Sequence, residues 1–175
     1  MSPQSEMDIN SIEEFLAHAH AMEREASDQY AELAEQMEVH NNPEVAELFA
    51  KLSAIEGKHV QKINEKADGR ELPHLAPWDF KWQDGVAPEN PAALEAHYLM
   101  TPHHALSLAL KAEEQAADFF RRVAESTTND QVRSMAEEMA ADEIEHIAWL
   151  KEWLEKFPEP EEDWDHDHDP PMLQE

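Results

Sequence analysis

Met139-Ala140-Ala141-Asp142-Glu143-Ile144-Glu145-His146-Ile147-Ala148-Trp149-Leu150 reads as an apolar helical stripe interrupted by two ionisable residues, Glu143 and His146. Around it Val132, Met135, Ala136, Met139, Ile147, Leu150 and Leu154 recur at spacings of three and four, the period of one helix face. At roughly 1.5 Å of rise per residue, Glu143 and His146 stand about 4.5 Å apart along the axis on neighbouring rows, so the pair can grip one ion. A carboxylate oxygen and an imidazole nitrogen suit iron, manganese or zinc. A single Glu-x-x-His arises by chance in many charged helices, and a functional reading therefore needs its complement elsewhere in the chain.

Taken in order, the chain supplies that complement. Ser11 followed by Glu14 forms a capping box ahead of a first helix through Ile12, Phe15, Leu16, Ala19, Met22, Ala26, Tyr30, Leu33, Ala34 and Met37. Glu23 sits on that stripe, Glu25 and Asp28 point away from it, and His18 and His20 lie above it as candidate surface residues. Asn41-Asn42-Pro43 turns the chain, with Asn42 placed to cap a second helix from about Pro43 to Ala67. Its apolar face is interrupted by Glu56 and His59, a second Glu-x-x-His.

Asp68-Gly69 closes that helix, and some thirty residues follow that carry Pro73, Pro77, Pro88 and Pro91 with Trp78, Phe80 and Trp82. A loop this long needs a reason. Two parallel helices of about 25 residues require a return of roughly 37 Å, which such a segment spans as a crossover pinned by its aromatics. A lid over a substrate entrance is the alternative. Pro91 to Leu99 reads as a short helix. Thr101-Pro102 opens a third helix whose apolar face includes Glu113, whereas Glu114 is rotated about 100° away. After a polar turn from Ser126 to Asp130, the fourth helix carries Glu143 and His146 to about Lys156.

The expected organisation is one all-α four-helix domain over residues 1–156 and an acidic tail over 157–175. The tail, with Asp165-His166-Asp167-His168-Asp169, is expected to be poorly ordered or laid along the surface by Trp164. The 175 residues include 40 acidic and 13 basic ones, and a formal charge of −27 argues against nucleic-acid phosphates and anionic membranes as partners. With no cysteine the chain can form neither disulfides, nor iron–sulfur clusters, nor a thiolate-ligated iron. No apolar run has the length of a membrane span, and Met1 to Asn10 lacks the pattern of a signal peptide, so a cytoplasmic location is expected.

The four helices thus present Glu23; Glu56 and His59; Glu113; and Glu143 and His146 to one core, as two copies of one half. Glu23, Ala26 and Tyr30 repeat as Glu113, Ala116 and Phe120 at the same offsets. One glutamate from each of two helices and a Glu-x-x-His from each of the other two is the ligand set of di-iron carboxylate bundles. Four carboxylates buried together without compensation would cost several kcal/mol each, and two divalent cations cancel that charge.

These motifs, with Met100-Thr101-Pro102 before the third helix and Asp142-Glu143-Ile144-Glu145-His146 in the fourth, resemble the ferritin-like superfamily and, within it, the di-iron domain of the rubrerythrin family over roughly residues 11–156. The resemblance implies a ferritin-like four-helix bundle with a long crossover between helices 2 and 3. It also implies two iron ions, replaceable by manganese or zinc, with Glu56 and Glu143 as bridges and Glu23 and Glu113 each serving mainly one iron. A di-iron oxidoreductase of this kind reacts with peroxide or oxygen in defence against oxidative stress, draws on an external electron donor and commonly forms a homodimer. A ferritin-like protein that oxidises and handles ferrous iron is the alternative. Tyr30 would either hydrogen-bond a ligand or donate an electron, or be a buried core tyrosine. Two departures stand out. There is no Cys-rich rubredoxin domain to feed electrons, and Ala116 stands where that family typically has a further glutamate, which leaves six ligands and two nearly equivalent metal positions.

Overall fold

A computed structural model describes residues 8–82, 88, 99–163 and 166. Within them the chain forms four long helices: α1 (Ile12–Val39), α2 (Pro43–Ala67), α3 (Pro102–Ser126) and α4 (Asp130–Leu154). Among the described residues of the connection from α2 to α3, a 3-10 turn occupies Pro77–Asp79. No strand occurs among the described residues, and none of the helices is long and apolar enough to cross a membrane. Of the short helix expected over Pro91 to Leu99, residues 91–98 fall outside the described residues, as does the docking expected of Trp164.

Helix boundaries follow local chemistry. The Ser11 hydroxyl accepts the Glu14 amide at 3.0 Å and starts α1. The reciprocal half of the expected capping box is replaced by a pairing of the Glu14 carboxylate with Lys81 at 2.6 Å. Asn42 precedes α2, but its side chain does not cap the helix. Its amide Nδ2 instead donates to the Met100 carbonyl at 2.7 Å, a tertiary bond to the strand of chain entering α3. Asp68 and Gly69 both take positive φ, 45° and 75°, and the left-handed turn they make is one that glycine adopts without steric cost. Thr101 and Pro102 open α3, and the Asn129 side chain caps α4 by accepting from the amides of Gln131 and Val132.

The short connections make α1 antiparallel to α2 and α3 antiparallel to α4. Lys62 pairs with Asp142 and Lys66 with Glu138, so residue numbers rise along α2 as they fall along α4. Helices α2 and α3 are therefore parallel, and the crossover exists to return the chain between them. Phe80 and Trp82 pin it: their rings meet at 5.1 Å and pack on His18, while Trp82 also meets Phe119 of α3. Trp78 does not share in this, being 83% exposed.

Two apolar clusters fill the bundle. One gathers Phe15, Met22, Ile63, Phe119, Phe120, Val132 and Met139, and the other gathers Ala26, Tyr30, Phe49, Leu52, Leu106, Ala109 and Leu150. Burial of each large side chain stabilises the fold by roughly 1.5–3 kcal/mol. What separates the two clusters is a polar layer.

Candidate metal centre

Every helix crosses that layer at the residue anticipated for it. On α1 Glu23 lies between Met22 and Ala26, and on α3 Glu113 lies between Ala109 and Ala116. On α2 Glu56 and His59 lie between Leu52 and Ile63, and on α4 Glu143 and His146 lie between Met139 and Leu150. The flanking apolar residues fix the helical phase. Each carboxylate is consequently driven inward by its neighbours' burial rather than by any preference of its own. All four glutamates are fully buried or within 1% of it, whereas Glu114, Glu25 and Asp28 are exposed. Both histidines are only partly covered, with side chains 14% exposed for His59 and 24% for His146, and they mark the side where the layer approaches solvent.

His59 Nδ1 lies 3.3 Å from Glu23 Oε2, 3.5 Å from Glu56 Oε2 and 3.6 Å from Glu143 Oε1. His146 Nδ1 lies 3.7 Å from Glu113 Oε2 and 3.8 Å from Glu143 Oε2. The two imidazoles stack with centroids 4.6 Å apart and planes 10° from parallel. Glu143 therefore reaches toward both histidines, and the six side chains form one constellation.

Its electrostatics are those of an anionic site without enough positive charge. Burial pushes the carboxyls of Glu23, Glu113 and Glu143 above their ordinary range, with neighbouring carboxylates adding to the effect. Glu56 is raised to about 7 by burial, with Glu23 adding to it and His59 opposing. Burial disfavours charge on His59 as well, but the hydrogen bond with Glu23 and the attraction of Glu23 and Glu56 outweigh it and raise that imidazole to about 11. His146 goes the other way, lowered first by burial and then by His59 beside it.

Whether these residues suit metal ions can be tested on their polar atoms. Glu23 Oε1, both oxygens of Glu56, Glu113 Oε2, Glu143 Oε2 and His146 Nδ1 are closed to solvent and have no hydrogen-bond partner among the described residues. Buried polar atoms are almost always paired in folded proteins, and so many unpaired acceptors converging on one layer call for cations. Three sets of donors, Glu56 with His59 and His146, Glu23 with His59 and Glu143, and Glu113 with Glu143 and His146, each have ligand atoms within 4.8 Å of one another. The buried glutamates and histidines could hold metal ions, and with no thiolate in the chain the donors are oxygen and imidazole nitrogen.

Tyr30 stands two helical turns from Glu23, fully buried in an apolar cluster with its ring 6.1 Å from that of Phe49. Ala116 is fully buried one turn after Glu113, so a methyl group occupies the height where a seventh donor would stand. His18 corrects the reading of it as a surface residue: it is 0% exposed, because the crossover folds back over α1. No local pattern announces that burial. His20, by contrast, remains partly exposed.

The sequence matches the ferritin-like domain family over residues 13–159. Among solved structures it is similar to an uncharacterized conserved protein from Magnetospirillum magnetotacticum MS-1, with 36% identity, a TM-score of 0.66, and coverage of 86% of this chain and 98% of that one. A search of curated proteins finds no match.

Proposed function

The chain belongs to the ferritin-like family, and from that premise we propose that it is a di-iron oxidoreductase of rubrerythrin type, with Glu23, Glu56, His59, Glu113, Glu143 and His146 as ligands to two irons. The observation that carries this reading is the set of buried, unpaired carboxylate oxygens and the unpaired His146 nitrogen that converge on one layer. When bound, the metal pair supplies electron exchange with a small oxidant, peroxide or oxygen.

This chain's own residues prepare the site for that chemistry. The four glutamates neutralise the cations and, being held by four different helices, fix their separation. Apolar layers on both sides, among them Met22, Leu52, Ala109 and Met139, keep bulk water from the carboxylates. In the metal-free site Glu56, raised to about 7 by burial, holds a proton near neutral pH that a binding cation displaces. The partly exposed His59 and His146 face is the approach for a small oxidant. With no cysteine in the chain, reducing equivalents come from an external donor. Tyr30, packed on Phe49, serves the core rather than the chemistry in this reading.

A second reading, a protein that oxidises ferrous iron and passes it on, draws support from the formal charge of −27, which concentrates cations at the surface. One experiment separates the two. Protein loaded anaerobically with ferrous iron and supplied with a reductant is mixed with peroxide. Catalytic consumption of peroxide supports the oxidoreductase. A single burst followed by uptake of many irons per chain supports iron handling, and inertness in both assays rejects both readings.

A further inference from the structure

His18 is a buried titratable side chain that the proposed metal centre leaves unused. Its ring is fully enclosed, edge-on to Phe80 at 5.3 Å and to Trp82 at 5.1 Å, and stacked on Phe119 at 6.4 Å with planes 18° apart. Nδ1 lies 2.8 Å from the Glu14 carbonyl oxygen, which can only accept, so Nδ1 carries the proton. Nε2 accepts the backbone N–H of Lys81 at 3.0 Å. One tautomer of the neutral ring thus satisfies both nitrogens, and the second bond is made to the crossover rather than to the bundle.

We propose that His18 is a proton-operated latch for the part of the crossover over residues 70–82: neutral, it holds this strap against α1 and α3; protonated, it lets the strap go. A proton on Nε2 would face the Lys81 N–H with another N–H, removing the only acceptor that His18 offers the strap and leaving two donors opposed. The imidazolium would also be desolvated among Phe80, Trp82 and Phe119.

The charged groups around the ring leave this switch intact. Glu14 of α1 favours the proton and Lys81 of the strap opposes it, and the two pair with each other at 2.6 Å. Lys81 also donates to the Asp8 carbonyl. Helix α3 presents the Phe119 ring, and the neighbouring Asp118 and Arg122 pair together. Burial, the largest influence, holds His18 below its ordinary 6.5, so the neutral, latched form prevails at neutral pH. The sign follows: the latch is fully closed above the ordinary value and is lost as pH falls through the depressed one. What remains of the polar hold is the Arg70–Glu13 pair, the less exposed Lys81–Glu14 pair and the Lys81 bond to the Asp8 carbonyl, and salt screens the two pairs in proportion to their exposure. Release would uncover Trp82 and Phe119 and open the cavity of about 260 Å³ that Ala17, His20, Leu72, His74 and Phe80 line.

Hydrogen–deuterium exchange on the full, metal-loaded chain tests this, read over residues 78–82 from about pH 7.5 to about pH 5 and corrected for intrinsic rates. The latch predicts that strap protection falls by about tenfold or more in the wild type while α2 stays protected. In His18→Gln, whose amide oxygen still accepts from Lys81 but does not titrate, protection should be independent of pH. Strap protection that does not change in the wild type, or that falls equally in His18→Gln, overturns the proposal; the second result would assign the change to His20, His74 or metal loss. Should that variant fail to fold, nitrogen-15 spectra of the wild type with zinc in the site decide. The Nδ1–H tautomer should prevail at neutral pH and titrate at the midpoint where strap protection is lost. The opposite tautomer, or a separate midpoint, rejects the latch.

Discussion

The α1/α2 half and the α3/α4 half carry the same donors and differ in how their seams are closed. Between α1 and α2, the Ser27 hydroxyl donates to the Ser53 carbonyl at 2.9 Å and the Ser53 hydroxyl donates to the Ser27 carbonyl at 2.8 Å, one turn from Glu23 and from Glu56. Gly57 lies against the same place, where even an added Cβ would be 3.8 Å from the Ser27 oxygen. The corresponding positions of the other half are Ala117, Ala140 and Ile144. Among the described residues no such exchange occurs at those positions, the side-chain bond between α3 and α4 being that of Arg133 Nε to the Ala124 carbonyl at 3.3 Å near the turn; Ile144 is 60% exposed and borders a cavity of about 330 Å³ with Ala124, Ala140, Ala141 and the charged Arg121, Glu125 and Glu137. The histidines differ in the same sense. His59, with three carboxylates close by, is raised to about 11, while the more exposed His146 is lowered. Identical side-chain types therefore need not give identical positions, because the bonds behind them set how firmly each is held.

The sharpest way to break this comparison is to remove a carboxylate from one half. Glu113→Ala should eliminate one metal position, whereas Glu114→Ala, at an exposed site, should leave stoichiometry intact and change stability by only a few tenths of a kcal/mol. Metal analysis after dialysis reads the difference, and the reverse ranking would place α3 one residue out of phase. Next come the histidines. His59→Ala and His146→Ala should each weaken mainly one metal position, with the larger loss of total affinity in His59→Ala because three carboxylates converge there. Equal loss at both positions in both variants would contradict a site built of two halves.

A smaller effect, but one with a definite sign, is the pH dependence of melting. In metal-free protein, Glu56 at about 7 lies above its ordinary 4.5, so its contribution is fully present below 4.5 and is lost as pH rises through 7. His59 at about 11 lies above 6.5, so its contribution is present below 6.5 and is lost as pH rises toward 11. Both favour the metal-free protein at about pH 6 over about pH 8, while the lowered His146 and His18 act in the opposite sense and flatten the slope. Protons compete with metal for the same donors, so the loaded protein should show the opposite slope. Melting curves with parallel pH dependence in the two forms would refute this. The smallest effect belongs to the seams: Ser27→Ala should cost on the order of 1 kcal/mol in denaturant unfolding for its lost cross-helix bond, and Ala117→Ser, with no partner at position 140, should cost less. Similar values for the two would erase the contrast between the halves.

Much of this architecture is legible locally. Periodicity with Ser11, Asp68-Gly69 and Thr101-Pro102 marks where the helices begin and end, and the two Glu-x-x-His pairs name the polar layer because the apolar residues around them fix their phase. The features that escape are those created when distant segments meet. His18 sits at a position that α1 alone would leave near its edge, and only the returning crossover buries it. Asn42 has the chemistry of a cap, yet Met100, brought near by the same crossover, captures its amide. Trp78 has the same composition-level signal as Phe80 and Trp82 but lies on the 3-10 turn facing out. The Ser27–Ser53 exchange is likewise silent in either helix read alone.

The central claim is that the buried glutamate and histidine layer exists to hold a pair of cations. Anaerobic titration of metal-stripped protein with ferrous iron, followed by calorimetry and by the melting temperature of each form, tests it most directly. The account predicts saturation at about two tightly bound ions per chain and a rise in melting temperature on loading, since ions that bind only the folded state shift the equilibrium by mass action and relieve the repulsion among four carboxylates. No tight binding, or a melting temperature identical with and without metal, would contradict it.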